Sequence, residues 1–256
     1  MYYNKNTHSI YYEKFGNGGK NILILPGWGD TRETFRLMIE NLKSNYTVYI
    51  FDYPGFGRSI FPDEDLTIYD YANIIRDFIK DENIQNPTII SHSFGGRIAT
   101  LMAGYYKDNI DKLILIDAAG IKRGKNIFKL IKQTTYKLLR KLQVIVPKEK
   151  RNLYIKRLIN AFGSSDYKTL GNDMRKTFKN VINEDLRYYI KNIDVKTLII
   201  WGKKDKDTPF KDAKYMKNNI EDSLLVTLKD AGHFSYLNYP TLVNKIINNF
   251  LKKDGL

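Results

Sequence analysis

A chain of 256 residues with 43% hydrophobic and 13% aromatic content can bury one sizeable core and carry an insertion besides. It has no cysteine, which excludes disulfides and thiolate metal sites, and no apolar run of 18 residues, so no transmembrane helix is expected. The formal net charge of +14 suggests an anionic partner, but nineteen Lys and Arg against five Asp and Glu fall between Ile121 and Lys191, so that one segment carries the whole excess. No zinc-finger spacing and no aromatic RNA-binding signature accompanies the charge. A solvated surface is therefore expected, and nucleic acid is not. Peripheral contact with an anionic membrane through this segment is the less favoured reading. The polar start, Met1 to Asn6, lacks the apolar core of a secretory signal, which together with the missing cysteines gives a cytoplasmic protein as the expectation.

In chain order, Ser9–Phe15 reads as a strand and Gly16–Gly19 as a turn; His8 falls before that strand, facing solvent. Asn21–Leu25 is a continuous apolar run, as in a strand buried on both faces. Pro26-Gly27-Trp28-Gly29 breaks it, and Asp30-Thr31-Arg32-Glu33 is the pattern of a capping box opening a helix through Phe35, Met38, Ile39 and Leu42. Tyr46–Phe51 is the next strand, and Thr67–Asp70 caps a helix running to Lys80.

Asn86–Gly96 is a short β-branched run ending in small residues, followed at once by the helical pattern Arg97–Ala103. A sharp strand-to-helix turn forces its central residue, Ser93, into strained geometry and pushes Oγ off the strand end; its neighbours two residues away, Ser91 and Gly95, must be small. Leu113–Ile116 is a strand whose exit holds Asp117. From Ile121 to about Asn192 the pattern becomes basic amphipathic helices, with apolar positions that include Phe128 and Leu158. Thr197–Gly202 and Asp222–Leu228 resume the strands, and Tyr239-Pro240 opens the terminal helix. Strands alternating with helices give an α/β fold with a mainly parallel central sheet flanked by helices. Ligands of such sheets bind beyond the carboxyl ends of the strands, where Ser93, Trp28, Asp117 and the loop after Gly202 all fall.

The Ser91-His92-Ser93-Phe94-Gly95 turn resembles the nucleophile elbow of the α/β-hydrolase family, with Ser91 in place of the usual first glycine. Asp52-Tyr53-Pro54-Gly55-Phe56-Gly57-Arg58-Ser59 and the loop at Pro26 resemble the same family, and so do Trp201-Gly202-Lys203-Lys204-Asp205 and Asp230-Ala231-Gly232-His233. The resemblance covers the chain apart from the segment 121–191. It implies a core domain of residues 1–120 and 192–256 and a helical cap of residues 121–191. It implies a serine hydrolase that forms an acyl-enzyme on Ser93, with His233 as base and Asp205 as the acid that orients it. Asp117 is the runner-up acid, and Asp207 has a structural or helix-capping role. His233 is one of three histidines; His8 is remote, and His92 must point away from Ser93 around the tight turn.

The backbone N–H groups of Trp28 and Phe94 would hold the oxyanion. Trp28, Phe128, Leu158 and Phe234 would line the acyl pocket. Neither metal nor organic cofactor is required. The expected partner is a small-molecule ester or acyl substrate. Carbon–carbon bond hydrolysis, acyl transfer and thioester cleavage belong to the same fold, and a ligand receptor without turnover is the alternative from another class. Ser93 disfavours the dehalogenase and epoxide hydrolase branches, whose nucleophile is aspartate.

Overall fold

The computed structural model describes residues 1–5, 8–122, 135–136, 138–162 and 174–252. Its frame is one eight-stranded sheet: β1 (Tyr2–Lys5), β2 (His8–Phe15), β3 (Lys20–Leu25), β4 (Tyr46–Asp52), β5 (Thr88–His92), β6 (Leu113–Ile116), β7 (Thr197–Gly202) and β8 (Ser223–Leu228), in the spatial order 1-2-4-3-5-6-7-8. The first two strands pair antiparallel, as do β2 and β4, and every pair from β4 to β8 is parallel. Helices α1 (Arg32–Leu42), α2 (Ile68–Asp81), α3 (Phe94–Gly104) and α7 (Phe210–Asn219) make the crossovers between parallel strands, and α8 (Ser235–Asn238) and α9 (Pro240–Lys252) close the chain. Between β6 and β7 the described residues include α4 (Arg151–Phe162), α5 (Arg175–Asn183) and α6 (Arg187–Ile190), together with short 3-10 turns.

The apolar runs fill both faces because successive strand side chains point to opposite sides. Leu23, Leu25, Ile89, Leu113, Leu115, Ile199 and Trp201 pack with residues of α2, α3 and α7. Their alternates Ile22, Ile24, Ile90, Ile114, Ile116, Leu198 and Ile200 pack with α1 and α9. Val181, Leu186 and Ile190 join the first cluster, so α5 and α6 are anchored in the main core.

Local expectations hold in most places and fail in three. The box at Thr67 is formed in full: its side chain accepts from the Asp70 N–H, and the Asp70 carboxylate accepts from the Thr67 N–H. The box expected at Asp30 is not formed. Thr31 is the N-cap, with no side-chain cap bond, and the Asp30 carboxylate turns back to accept from the Gly27 N–H. Tyr2–Lys5, read only as a polar start, forms an edge strand on β2. Tyr3 explains why: its ring packs edge-on against Phe78, and its hydroxyl donates to Asp81 at 2.6 Å. His8 opens β2 and is half-buried rather than preceding the strand in solvent.

Because β3 to β8 run parallel, the loops that follow β3, β5, β6, β7 and β8 share one edge of the sheet. β3 sits between β4 and β5, so its neighbours connect in opposite directions, and ligands of such sheets bind at that reversal.

Candidate active site

Three side chains from three of these loops meet at the sheet's carboxyl edge. Ser93 stands between β5 and α3 with φ 46° and ψ −109°. A residue bearing a Cβ holds such a conformation at a cost of roughly 1–3 kcal/mol, when its surroundings fix it. Here the Ser93 N–H donates to the Ile116 carbonyl, and the Ser93 carbonyl accepts from the N–H groups of Gly96 and Ala119. A Cβ on Gly95 would lie 2.0 Å from the Leu25 carbonyl oxygen, so only glycine fits this approach of α3 to β3. Ser91 is fully buried and donates its hydroxyl to the Ile114 carbonyl at 3.2 Å, so the elbow tolerates it in place of glycine.

Ser93 Oγ lies 2.9 Å from Nε2 of His233, and Nδ1 of the same ring lies 2.8 Å from Oδ2 of Asp205. The Asp205 side chain is fully enclosed and the imidazole 14% exposed, so solvent screens their contact weakly. Asp205 is fixed by its own loop. Oδ1 accepts from the N–H groups of Asp207 and Thr208 at 2.8 and 2.9 Å, and Oδ2 accepts from the Thr208 hydroxyl at 2.6 Å. Trp201 secures the loop in turn, its indole N–H donating to the Thr208 carbonyl at 2.8 Å. Burial pushes the Asp205 carboxyl up, but its hydrogen bonds with His233 and Thr208 outweigh that and hold it below the ordinary range. Burial pulls the His233 imidazole down. Its bond to Asp205 and the charges of Asp205, Asp117 and Asp207 prevail and raise it above its ordinary 6.5.

The other two aspartates are placed differently. Asp117 is fully buried; its carboxylate accepts from the N–H of Gly202 at 2.7 Å and of Ser235 at 3.0 Å, and so it links the loops carrying Asp205 and His233. Burial raises its carboxyl to about 6. Asp207 is exposed, and the N-cap of α7 is Pro209 without a side-chain cap bond.

Trp28 lies on the loop after β3. Gly95 donates its N–H to the Pro26 carbonyl at 2.9 Å, which fastens that loop to the first turn of α3. The backbone N–H groups of Trp28 and Phe94 donate to no group among the described residues. A helix's first N–H groups have no intrahelical acceptor. The Trp28 indole meets Phe56, Phe94 and Phe178 edge-on at 4.8 to 5.1 Å, and Met174 and Phe178 of the insertion pack against it. Sequence reasoning named neither Met174 nor Phe178; a Met and a Phe at i, i+4 on an amphipathic stretch was the available signal. Phe234 is 39% exposed, with its ring 5.5 Å from that of His233. Leu158 is buried on α4 but is not part of the cluster around Trp28. Phe128 lies outside the described residues.

A sequence model of the alpha/beta hydrolase fold matches residues 20–240 of the chain. The chain is 28% identical to the pimeloyl-(acyl-carrier protein) methyl ester esterase of Wigglesworthia glossinidia brevipalpis, an alignment covering 95% of this chain and 98% of that one. Among solved structures, an esterase from Exiguobacterium antarcticum superposes with a TM-score of 0.74 at 25% identity, over 96% of both chains. The enol-lactonase of Burkholderia xenovorans gives 0.76 at 18% identity, over 99% of this chain and all of that one, a likeness of fold.

Proposed function

The chain belongs to the alpha/beta hydrolase fold family, and from that premise we propose that it is a serine hydrolase that cleaves a carboxylic ester through an acyl-enzyme on Ser93. The observation that carries this reading is the unbroken line of contacts from Ser93 Oγ through the His233 imidazole to Asp205. With Asp205 ionised, Nδ1–H donates to it, and Nε2 is left with its lone pair towards the Ser93 hydroxyl. Oγ attacks the carbonyl carbon while its proton passes to Nε2, and Asp205 stabilises the imidazolium that forms. The N–H groups of Trp28 and Phe94 stabilise the oxyanion. His233 then gives the proton to the leaving alkoxide, and the same steps with water as nucleophile release the acid. No step calls for a metal or an organic cofactor. Residues 121–191 serve as a cap on the core of 1–120 and 192–256, a reading supported by the packing of Met174 and Phe178 on Trp28. An ester is favoured over other acyl bonds by the esterase relatives.

A panel of p-nitrophenyl esters of increasing chain length tests the reaction. A burst of one p-nitrophenol per chain followed by steady turnover is expected, with little dependence of kcat/KM on salt, because a neutral ester does not feel the screened surface charge. Binding without release of p-nitrophenol would favour the receptor reading and overturn this one. The acid limb of the pH profile should have its midpoint above 6.5. The limb reports the free base, and the raised imidazole stays protonated to higher pH. A midpoint below 6.5 would contradict the arrangement around His233.

A further inference from the structure

His92, next to the serine, has no part in that reaction, yet it is 1% exposed and both of its ring nitrogens are engaged. Nδ1 lies 2.9 Å from Oδ2 of Asp30, and Nε2 lies 2.8 Å from the backbone carbonyl of His233. The same Asp30 oxygen accepts from the Gly27 N–H at 3.1 Å. A continuous polar chain therefore runs from the loop carrying Trp28, through Asp30 and His92, to the backbone of His233.

Three features set this chain apart from incidental packing. The residues come from the loop after β3, the last position of β5 and the loop after β8, with Asp30 and His92 62 positions apart and His92 and His233 141 apart. Room for the pair exists because residue 27 is glycine: a Cβ there would lie 2.4 Å from the Asp30 oxygen and 2.8 Å from Nδ1 of His92. The Asp30 carboxylate also turns away from its own helix start to meet the ring. Phe35, Phe234 and Tyr236 surround the imidazole. In such surroundings an unmet polar group is costly, so the two bonds fix the ring.

We infer that Asp30 and His92 are positioning residues that tie the oxyanion loop to the backbone of His233, an inference that rests on the serine hydrolase reading. The tie acts on where the imidazole sits, not on its chemistry. A displacement of about 1 Å at a catalytic group can cost on the order of 100-fold in rate. The His233 carbonyl can only accept, so Nε2 is the donor of that contact, and Nδ1 meets the Asp30 carboxyl.

Two substitutions separate the bonds. His92→Asn keeps an amide near Nδ1, facing Asp30, but is too short for the His233 carbonyl; His92→Gln reaches further and restores a donor there. With p-nitrophenyl acetate, His92→Asn should lower kcat by about 10- to 100-fold with KM little changed. His92→Gln should recover most of the loss. Long-range proton–nitrogen spectra of the native protein should show hydrogen on Nε2 of His92, which faces the His233 carbonyl. An Asn variant as active per folded molecule as the native protein, or a bare Nε2 facing the His233 carbonyl, would overturn the proposal. If the native protein neither turns over the ester nor takes a fluorophosphonate label, the serine hydrolase reading falls and the catalytic role with it, while the nitrogen spectra still decide the tie itself.

Discussion

Ser93→Ala is expected to lower kcat by roughly 1,000-fold or more while leaving the fold in place. The loss follows from removing the one oxygen that faces Nε2 of His233 at 2.9 Å. What remains would come from substrate binding and the oxyanion donors alone. The fold should persist because the elbow is secured by main-chain bonds from residue 93, to Ile116 and from Gly96 and Ala119, which alanine keeps. The strain at φ 46° is the same for both residues, so thermal unfolding should move little. Mass spectrometry after treatment with a fluorophosphonate should place the adduct on Ser93. Ser91 is wholly enclosed in β5 and Ser235 is wholly buried, so neither offers the reagent an approach. An adduct on either, or an alanine variant with native activity, would remove Ser93 from the mechanism.

The second large effect belongs to Asp205→Asn, expected to cost on the order of 100- to 10,000-fold in kcat. The asparagine amide would donate towards Nδ1, and the imidazole would then carry its hydrogen on Nε2. That hydrogen would face the Ser93 hydroxyl, and the ring could no longer take its proton. Asp205 is the carboxylate in contact with Nδ1, at 2.8 Å, whereas Asp117 spends its oxygens on the Gly202 and Ser235 amides. Asp207→Asn should change kcat by only about threefold, because residue 207 serves Asp205 through its backbone N–H, and its exposed charge acts on the imidazole through solvent. Asp117→Asn should act mainly on stability, since an amide side chain cannot accept from both N–H groups as the carboxylate does. Steady-state rates for the three variants, with their unfolding midpoints, test this order. An Asp207 variant crippled beside an active Asp205 variant would reverse it.

The sequence by itself determined most of the elements and their succession, though not the edge strand Tyr2–Lys5. Runs such as Asn21–Leu25, Leu113–Ile116 and Thr197–Gly202 mark strands buried on both faces, and the helical patterns between them impose a parallel sheet. It also placed Ser93 just past a strand end, because the turn chemistry of an elbow is local and needs no knowledge of the rest of the chain, while the family resemblance pointed to Asp205 and His233. The same local reading left Asp117, Asp205 and Asp207 as rivals, since each is a carboxylate near the end of a strand. Only the register of β6, β7 and β8, and the turn in which Asp205 accepts from the amides of residues 207 and 208, decided which carboxylate meets Nδ1. Tertiary structure alone also drew Asp30 out of its expected helix cap. A buried imidazole 62 residues away needed a polar partner, and neither propensity nor periodicity carries information about a contact between residues that far apart in the chain.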